Sequence, residues 1–270
     1  MRITTLIENS PGTRGCAFEH GLSLYIETQR HRLLMDTGAS SAILGNAEKL
    51  GIDLTRVDTV ILSHGHYDHT GGVRAFAAVN PTADIYLRAD ADGAFYHGDK
   101  YIGIDRAILS LPQLRKTEGT LTIDEELSLF AGASGTRHRP ESNLELSRRD
   151  PDGTVRQDDF SHEQYLVIRE GDKHVLLSGC AHNGILNILD RYRALYHGEP
   201  DLVISGFHMK KNADYTDTEI RTIRAIAEEL KQTDTVYYTG HCTGEPAFAI
   251  MREIMGDQVK RTQSGDEIIF

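Results

Sequence analysis

Four metal-binding side chains crowd into six residues of this chain: His64, His66, Asp68 and His69, with only Gly65 and Tyr67 between them. They follow directly on 57–62, a short apolar β-branched run that reads as a buried strand. An extended or loop segment leaving that strand places His64 and His66 on one side, while Asp68 and His69 turn elsewhere. One short segment can therefore serve two adjacent metals. Imidazole nitrogens with one carboxylate suit zinc, and also iron or manganese. Gly71-Gly72 is expected to let the backbone turn tightly behind the site. One segment cannot close a metal site, so the remaining ligands must come from later strand ends.

Three later strands each end on a small residue and then deliver a histidine. His182 follows 175–181, His208 follows 202–207 and His241 follows 236–240. This repetition is hard to assign to packing. His182 and His241 read as ligands, and His208 reads equally as a ligand or as a substrate contact. Cys180, just ahead of His182, is either a thiolate ligand or a small buried residue. Cys16 and Cys242 read as small buried residues, and the three cysteines form no disulfide framework.

The rest of the pattern is α/β. Strands are expected at 3–8, 22–27, 32–35, 57–62, 84–87, 127–131, 164–169, 174–178, 202–205 and 235–238, with an edge strand at 267–270. Residues 29–31 supply one turn and 170–173 a hairpin. Helices are expected at 40–51, 73–79, 185–196 and 246–255. Another follows Thr216-Asp217-Thr218-Glu219, a capping-box pattern, with Ile220, Ile223, Ala227 and Leu230 as its buried stripe. Residues 88–118 are irregular, and 132–160 are polar and read as an exposed loop; both are expected to wall a pocket. The strands fall into two groups, which predicts one α/β domain over 1–270 with two mixed sheets and helices outside.

With 270 residues the chain is long enough for a core that holds a site rigid. Its 29 Lys and Arg against 40 Asp and Glu give a net charge of −11, a poor match for nucleic acid. A small anionic substrate needs only a local patch, and Arg137, His138 and Arg139 are the best cation cluster for one. No apolar run approaches the roughly 20 residues of a membrane span, and the first seven residues lack the regions of a signal peptide. A cytoplasmic protein with no membrane partner is expected; a homo-oligomer is compatible with this composition.

The segment from His64 through Gly72 resembles the signature of the metallo-β-lactamase superfamily. Glu19-His20-Gly21-Leu22-Ser23, Asp36-Thr37-Gly38, Ser178 to His182, Gly206-Phe207-His208 and His241-Cys242-Thr243-Gly244 are similar to a subfamily of metal-dependent hydrolases. That subfamily includes the dihydropterin ribofuranosylaminobenzene 5'-phosphate synthases. The resemblance spans nearly the whole chain. It implies an αββα sandwich with a one- or two-metal site at one edge of the sheets, zinc before manganese or iron. Carried over by position, it implies that His64, His66 and His182 hold one metal and that Asp68, His69 and His241 hold a second. Asp36 would orient the ligand loop and His20 would contact substrate. The family's Thr-Pro-Gly-His-Thr segment and its metal-bridging Gly-Asp are absent, and Gly179-Cys180 stands nearest to the latter.

The function implied is hydrolysis of an ester, lactone or phosphoester-type small molecule by metal-activated water. Asp68 would orient the nucleophile and His208 would donate to the developing anion. Two alternatives share these ligands. One is a pterin diphosphate-dependent transferase, in which an aryl carbon attacks in place of water. The other is a non-catalytic metal-binding protein.

Overall fold

In the computed structural model, which describes residues 1–270, the short apolar runs pair into two seven-stranded mixed sheets and one small four-stranded sheet. The first sheet runs, edge to edge, Glu267–Ile269, Arg2–Ile7, Ser23–Glu27, Arg32–Met35, Thr59–Ile61, Asp84–Arg88 and Leu114–Thr117. The second runs Val259–Arg261, Val236–Thr239, Leu202–Ile204, Lys173–Leu177, Gln164–Glu170, Leu127–Ala131 and Leu121–Thr122. The last four strands of the first sheet pair in parallel, as do the first four of the second. Parallel strands send their carboxyl ends the same way, which is what gathers His64, His182, His208 and His241 at one edge.

The strands alternate between two buried environments. Ile3, Leu24, Leu33 and Ile61 of the first sheet meet Leu129, Leu166, Leu177 and Ile204 of the second in a core between the sheets. On the first sheet's outer face, Leu34, Val60 and Ile85 pack on the helices Ala42–Leu50 and Val73–Val79. On the second sheet's outer face, Leu176, Val203 and Tyr237 pack on Ile185–Tyr196, Asp217–Leu230 and Glu245–Met255. The result is an αββα sandwich. The helix at Asp217 starts as its sequence predicts: Thr216 Oγ1 accepts from the Glu219 amide and the Glu219 carboxylate accepts from the Thr216 amide. Such a cap is worth about 1 kcal/mol.

Residues 132–160 are not merely an exposed loop. Leu146–Arg149 and Val155–Gln157 pair with each other, and the former pairs with Ala94–His97 from the irregular 88–118 segment. Phe95, Ile102, Leu146 and Phe160 bury together beneath this small sheet. These apolar residues are too few and too unevenly spaced to show a period, and their partners lie far apart in sequence. Three further strands went unread for the same lack of pattern: Leu114–Thr117, Leu121–Thr122 and Val259–Arg261. Gly71 and Gly72 have ordinary right-handed backbone. They are small because a Cβ there would strike the carbonyls of Ala39 and Thr37, so they serve close approach rather than a tight turn.

At the opposite ends of the strands, His31 ties the two sheets. Its Nδ1 lies 2.8 Å from Asp58, just before the strand Thr59–Ile61 of the first sheet, and its Nε2 lies 2.6 Å from Asp124, in the turn before Leu127–Ala131 of the second. Burial lowers the imidazole's pKa, but hydrogen bonds to the two carboxylates outweigh it and raise the value above 6.5. The folded state thus binds this proton more tightly than the unfolded one. The resulting stability is complete below the unfolded value and is lost as pH rises through the raised folded value. Urea unfolding of His31→Asn against the parent should show a deficit of about 1 kcal/mol at about pH 6, held down because Asp58 is solvent-screened. The deficit should shrink by about pH 9; one that is unchanged there would refute the charged bridge.

Candidate metal centre

Several residues of the site lie at sharp changes of direction at strand ends. Asp36, Ala181, His208 and His241 have φ of 61°, 53°, 48° and 48°, left-handed values that non-glycine residues rarely adopt. His64 leaves the strand Thr59–Ile61 after two further residues, and Asp68 and His69 sit on the short helix Tyr67–Thr70. All six residues implied as ligands converge at this edge and are buried.

Their hydrogen-bond partners assign the tautomers of the rings. The Asp36 carboxylate accepts from the Ser63 amide and hydroxyl, each at 2.7 Å, and from His69 Nδ1 at 2.6 Å. Because the Ser63 proton goes to Asp36, its oxygen accepts from His64 Nδ1 at 2.8 Å. His182 Nδ1 donates to Asn143 Oδ1 at 3.0 Å, and Asn143 Nδ2 donates to the His182 carbonyl, which fixes the amide's orientation. His241 Nδ1 donates to Asn9 Oδ1 at 2.8 Å, an oxygen that also accepts from the Gly21 amide. With every Nδ1–H committed, His64, His69, His182 and His241 in their neutral forms all turn bare Nε2 lone pairs inward.

These nitrogens lie close to one another. His69 Nε2 lies 3.1 Å from His241 Nε2, and His64 Nε2 lies 3.0 Å from His66 Nδ1. Asp68 Oδ2 stands 3.3 Å from His241 Nε2 and 3.7 Å from His69 Nε2. His182 Nε2 is buried without any hydrogen-bond partner. Two ligands of one tetrahedral zinc are separated by about 3.4 Å, given bonds of about 2.0–2.2 Å. A buried unpartnered acceptor and nitrogens at such separations fit a cation between them. By distance the candidate donors fall into two groups, His64–His66–His182 and Asp68–His69–His241.

The electrostatics are of the same kind. Burial, then the neighbouring imidazoles, hold His64 and His182 well below 6.5, and burial brings His66 to about 4. These rings are therefore neutral, the form that binds metal. Burial would raise the Asp68 carboxyl, but the imidazoles of His69 and His241 outweigh it and keep the group ionised. His69 differs: against burial, Asp36 and Asp68 push it up to about 9, so a metal there competes with a proton.

The other residues singled out in the sequence fall into place unevenly. His20 lies over the second set, its Nε2 3.4 Å from Asp68 and its ring stacked on His241. The His208 ring centroid is 4.1 Å from that of His182, and its buried Nδ1 is unpartnered. Cys180 Sγ points inward, 3.2 Å from His69 Nε2, with burial pushing its thiol pKa well up. A cavity of about 1080 Å³ opens above these groups, and both 88–118 and 132–160 contribute to its walls. His138 and Arg139 line it. Arg137 does not: Asp190 and Glu229, on two helices of the outer layer, draw its guanidinium away to their own surface. Lys100 and Lys210 are cavity cations the sequence did not suggest.

Several supporting residues also escaped sequence reading. His162 accepts from the Gly65 amide at 3.0 Å and faces Asp158 at 3.1 Å, and Asp158 in turn stands 3.8 Å from His66 Nε2. Glu163 accepts from the His182 amide, and Glu8 from that of His241. A polar residue at a strand end was the available signal for each, but nothing in the sequence gave it a partner.

The profile of the metallo-β-lactamase superfamily matches residues 17–241, a span that contains all six candidate donors. The chain belongs to that superfamily. A solved structure described as a metal-dependent hydrolase of the β-lactamase superfamily superposes at a TM-score of 0.85, with 30% identity, covering 100% of this chain and 99% of that one. An uncharacterized protein of Methanocaldococcus jannaschii is 29% identical over 93% of this chain and 94% of its own length. The 7,8-dihydropterin-6-methyl-4-(β-D-ribofuranosyl)-aminobenzene-5'-phosphate synthase of the same organism is 27% identical over 100% of this chain and 97% of the relative. Within the superfamily, this chain has the αββα sandwich that its sequence implied. No helix is long and apolar enough to cross a membrane.

Proposed function

We propose that this metallo-β-lactamase superfamily member is a metal-dependent hydrolase acting on an ester, lactone or phosphoester-type small molecule. The observation that carries the reading is the convergence of bare imidazole nitrogens and the Asp68 carboxylate beneath an open cavity. His64, His66 and His182 would hold one divalent cation, and Asp68, His69 and His241 a second, with zinc the best match to nitrogen-rich donors. The chemistry such a cation would supply is Lewis acidity, toward water and toward the carbonyl or phosphoryl oxygen of the group under attack.

The chain's own residues do the rest. Asp68 accepts a hydrogen bond from the attacking water and orients it. His208, at the cavity wall beside His182, donates to the oxygen on which negative charge develops. Lys100, Lys210 and Arg139 give the cavity cations that suit an anionic substrate, despite the chain's overall negative charge. Because His66, Asp68, His182 and His241 all border the cavity, the arrangement favours an enzyme over a closed structural metal site.

Transfer is the second reading, supported by the synthase relative that matches along the whole chain. The two share a metal centre and differ in the nucleophile. Zinc-loaded protein should be screened on phosphomonoesters, phosphodiesters, thioesters and lactones. A pterin diphosphate should be assayed in parallel for pyrophosphate release with and without an aromatic acceptor. Turnover in water that His208→Ala slows by about 10²-fold is the expected result. Pyrophosphate release that requires the acceptor would replace hydrolysis by transfer.

A further inference from the structure

We propose that Cys180 is a thiolate metal ligand whose single sulfur faces both donor sets. The inference rests on the metal-centre reading above and adds a donor to it.

Cys180 sits at the junction of the two sets. Its Sγ is 3.2 Å from His69 Nε2 of the second set. It also lies within 4.8 Å of donor atoms of His64, of His182 and His208, and of His241 and Cys242. His182, 1% exposed and with its Nε2 unpartnered, belongs to the same cluster, so the sulfur is not an isolated thiol. Gly179 precedes it against Ser63, and Gly206 packs against it from the next strand, where a Cβ would strike Cys242. The backbone around Cys180 is thus packed closely on both sides.

No nearby carboxylate other than that of Asp68 is free for this position. Asp36 is committed to Ser63 and His69 Nδ1. Glu163 accepts from the His182 and Asn183 amides, and Asp158 from His162. Glu8 accepts from the His241 and Ser10 amides. Two cations side by side repel, and an anionic atom facing both offsets that repulsion. Cys180 supplies such an atom: as the sulfur–metal bond forms, the thiol proton leaves to solvent and the sulfur carries the negative charge. A soft thiolate also biases the centre toward zinc or iron and away from manganese.

Cobalt(II) loaded into metal-stripped protein makes this visible, because a cobalt–thiolate bond absorbs in the near ultraviolet and cobalt bound by nitrogen and oxygen alone does not. The parent protein should show the sulfur-to-cobalt band, and Cys242→Ser should keep it. Cys180→Ser should lose it, and Cys180→Asp, which restores an anion of similar reach, should bind cobalt without it. If Cys180→Ser does not fold, the band's absence from cobalt-loaded Cys180→Asp still supports the assignment. A band that survives in either Cys180 variant would overturn it, as would cobalt bound to the parent with no such band. A parent protein that takes up no cobalt would instead overturn the metal-centre reading itself.

Discussion

Replacing His64 with Ala is expected to cost more than about 100-fold in metal affinity and to abolish turnover. The magnitude follows from its place. Changing an outer residue that merely orients a ligand typically costs about 10–100-fold, and His64 is itself a donor. Its Nε2 faces His66 Nδ1 at 3.0 Å, and its ring touches those of His66, His69 and His182. The same change should leave the sandwich folded, because the ring lies at the end of the inter-sheet core rather than within it. Metal present at about 100 times its dissociation constant stabilises a fold that binds it by about 2.7 kcal/mol. Thermal melts with and without added zinc should therefore show a shift in the parent that is largely missing in His64→Ala. Elemental analysis of the dialysed proteins gives the stoichiometry. Full occupancy in the variant would mean that His64 is not a ligand.

His64 was legible because the sequence placed it at a known structural point. The run 57–62 declared a buried strand, and a donor two residues past a strand end has few places to go. The same logic found His182, His208 and His241, each following a strand, and the structure brings all of them to one edge. Helix stripes and the capping box at Thr216 were legible because they depend on residues within one or two turns of each other.

What could not be read depends on distant pairing. Asn143 holds His182 across 39 residues and Asn9 holds His241 across 232, and an asparagine in a polar loop carries no mark of such a partner. Arg137 shows the reverse error. Its local neighbours, His138 and Arg139, made it look like part of an anion site, while Asp190 and Glu229 decided its direction from other elements. Cys180 lay between two readings for a similar reason. Small and buried describes it correctly, and only the direction of its sulfur separates a donor from a filler.

Asp36 gives the second large expectation. Asp36→Asn should weaken metal binding by about 10–100-fold without unfolding the protein. One carboxylate here controls two ligands: it accepts from His69 Nδ1 directly, and from Ser63 Oγ, which in turn accepts from His64 Nδ1. Both rings are thereby held with Nε2 bare and pointed inward. An asparagine keeps the shape and tolerates the left-handed backbone at this position, where φ is 61°. It offers only one acceptor oxygen, however, and its NH2 must point at groups that now donate to Asp36. If the NH2 takes the place of Oδ2, it meets both His69 Nδ1 and Ser63 Oγ: the His69 ring must then present Nδ1 as the acceptor and carry its proton on Nε2, where the metal would bind, and the Ser63 hydroxyl proton turns toward His64 with the same consequence for that ring. If it takes the place of Oδ1, it meets the Ser63 amide, which loses its acceptor beside His64. Either orientation disturbs the ligand loop, and the charge that favours both cations is lost as well. Competition with a chromophoric chelator should reveal the weaker binding, while circular dichroism and the melting curve in the absence of metal should show a folded protein. Asp36→Ala cannot substitute for this test, since it would leave buried donors unsatisfied and penalise the fold as well. Unchanged metal affinity in Asp36→Asn would mean that the rings are oriented by packing alone.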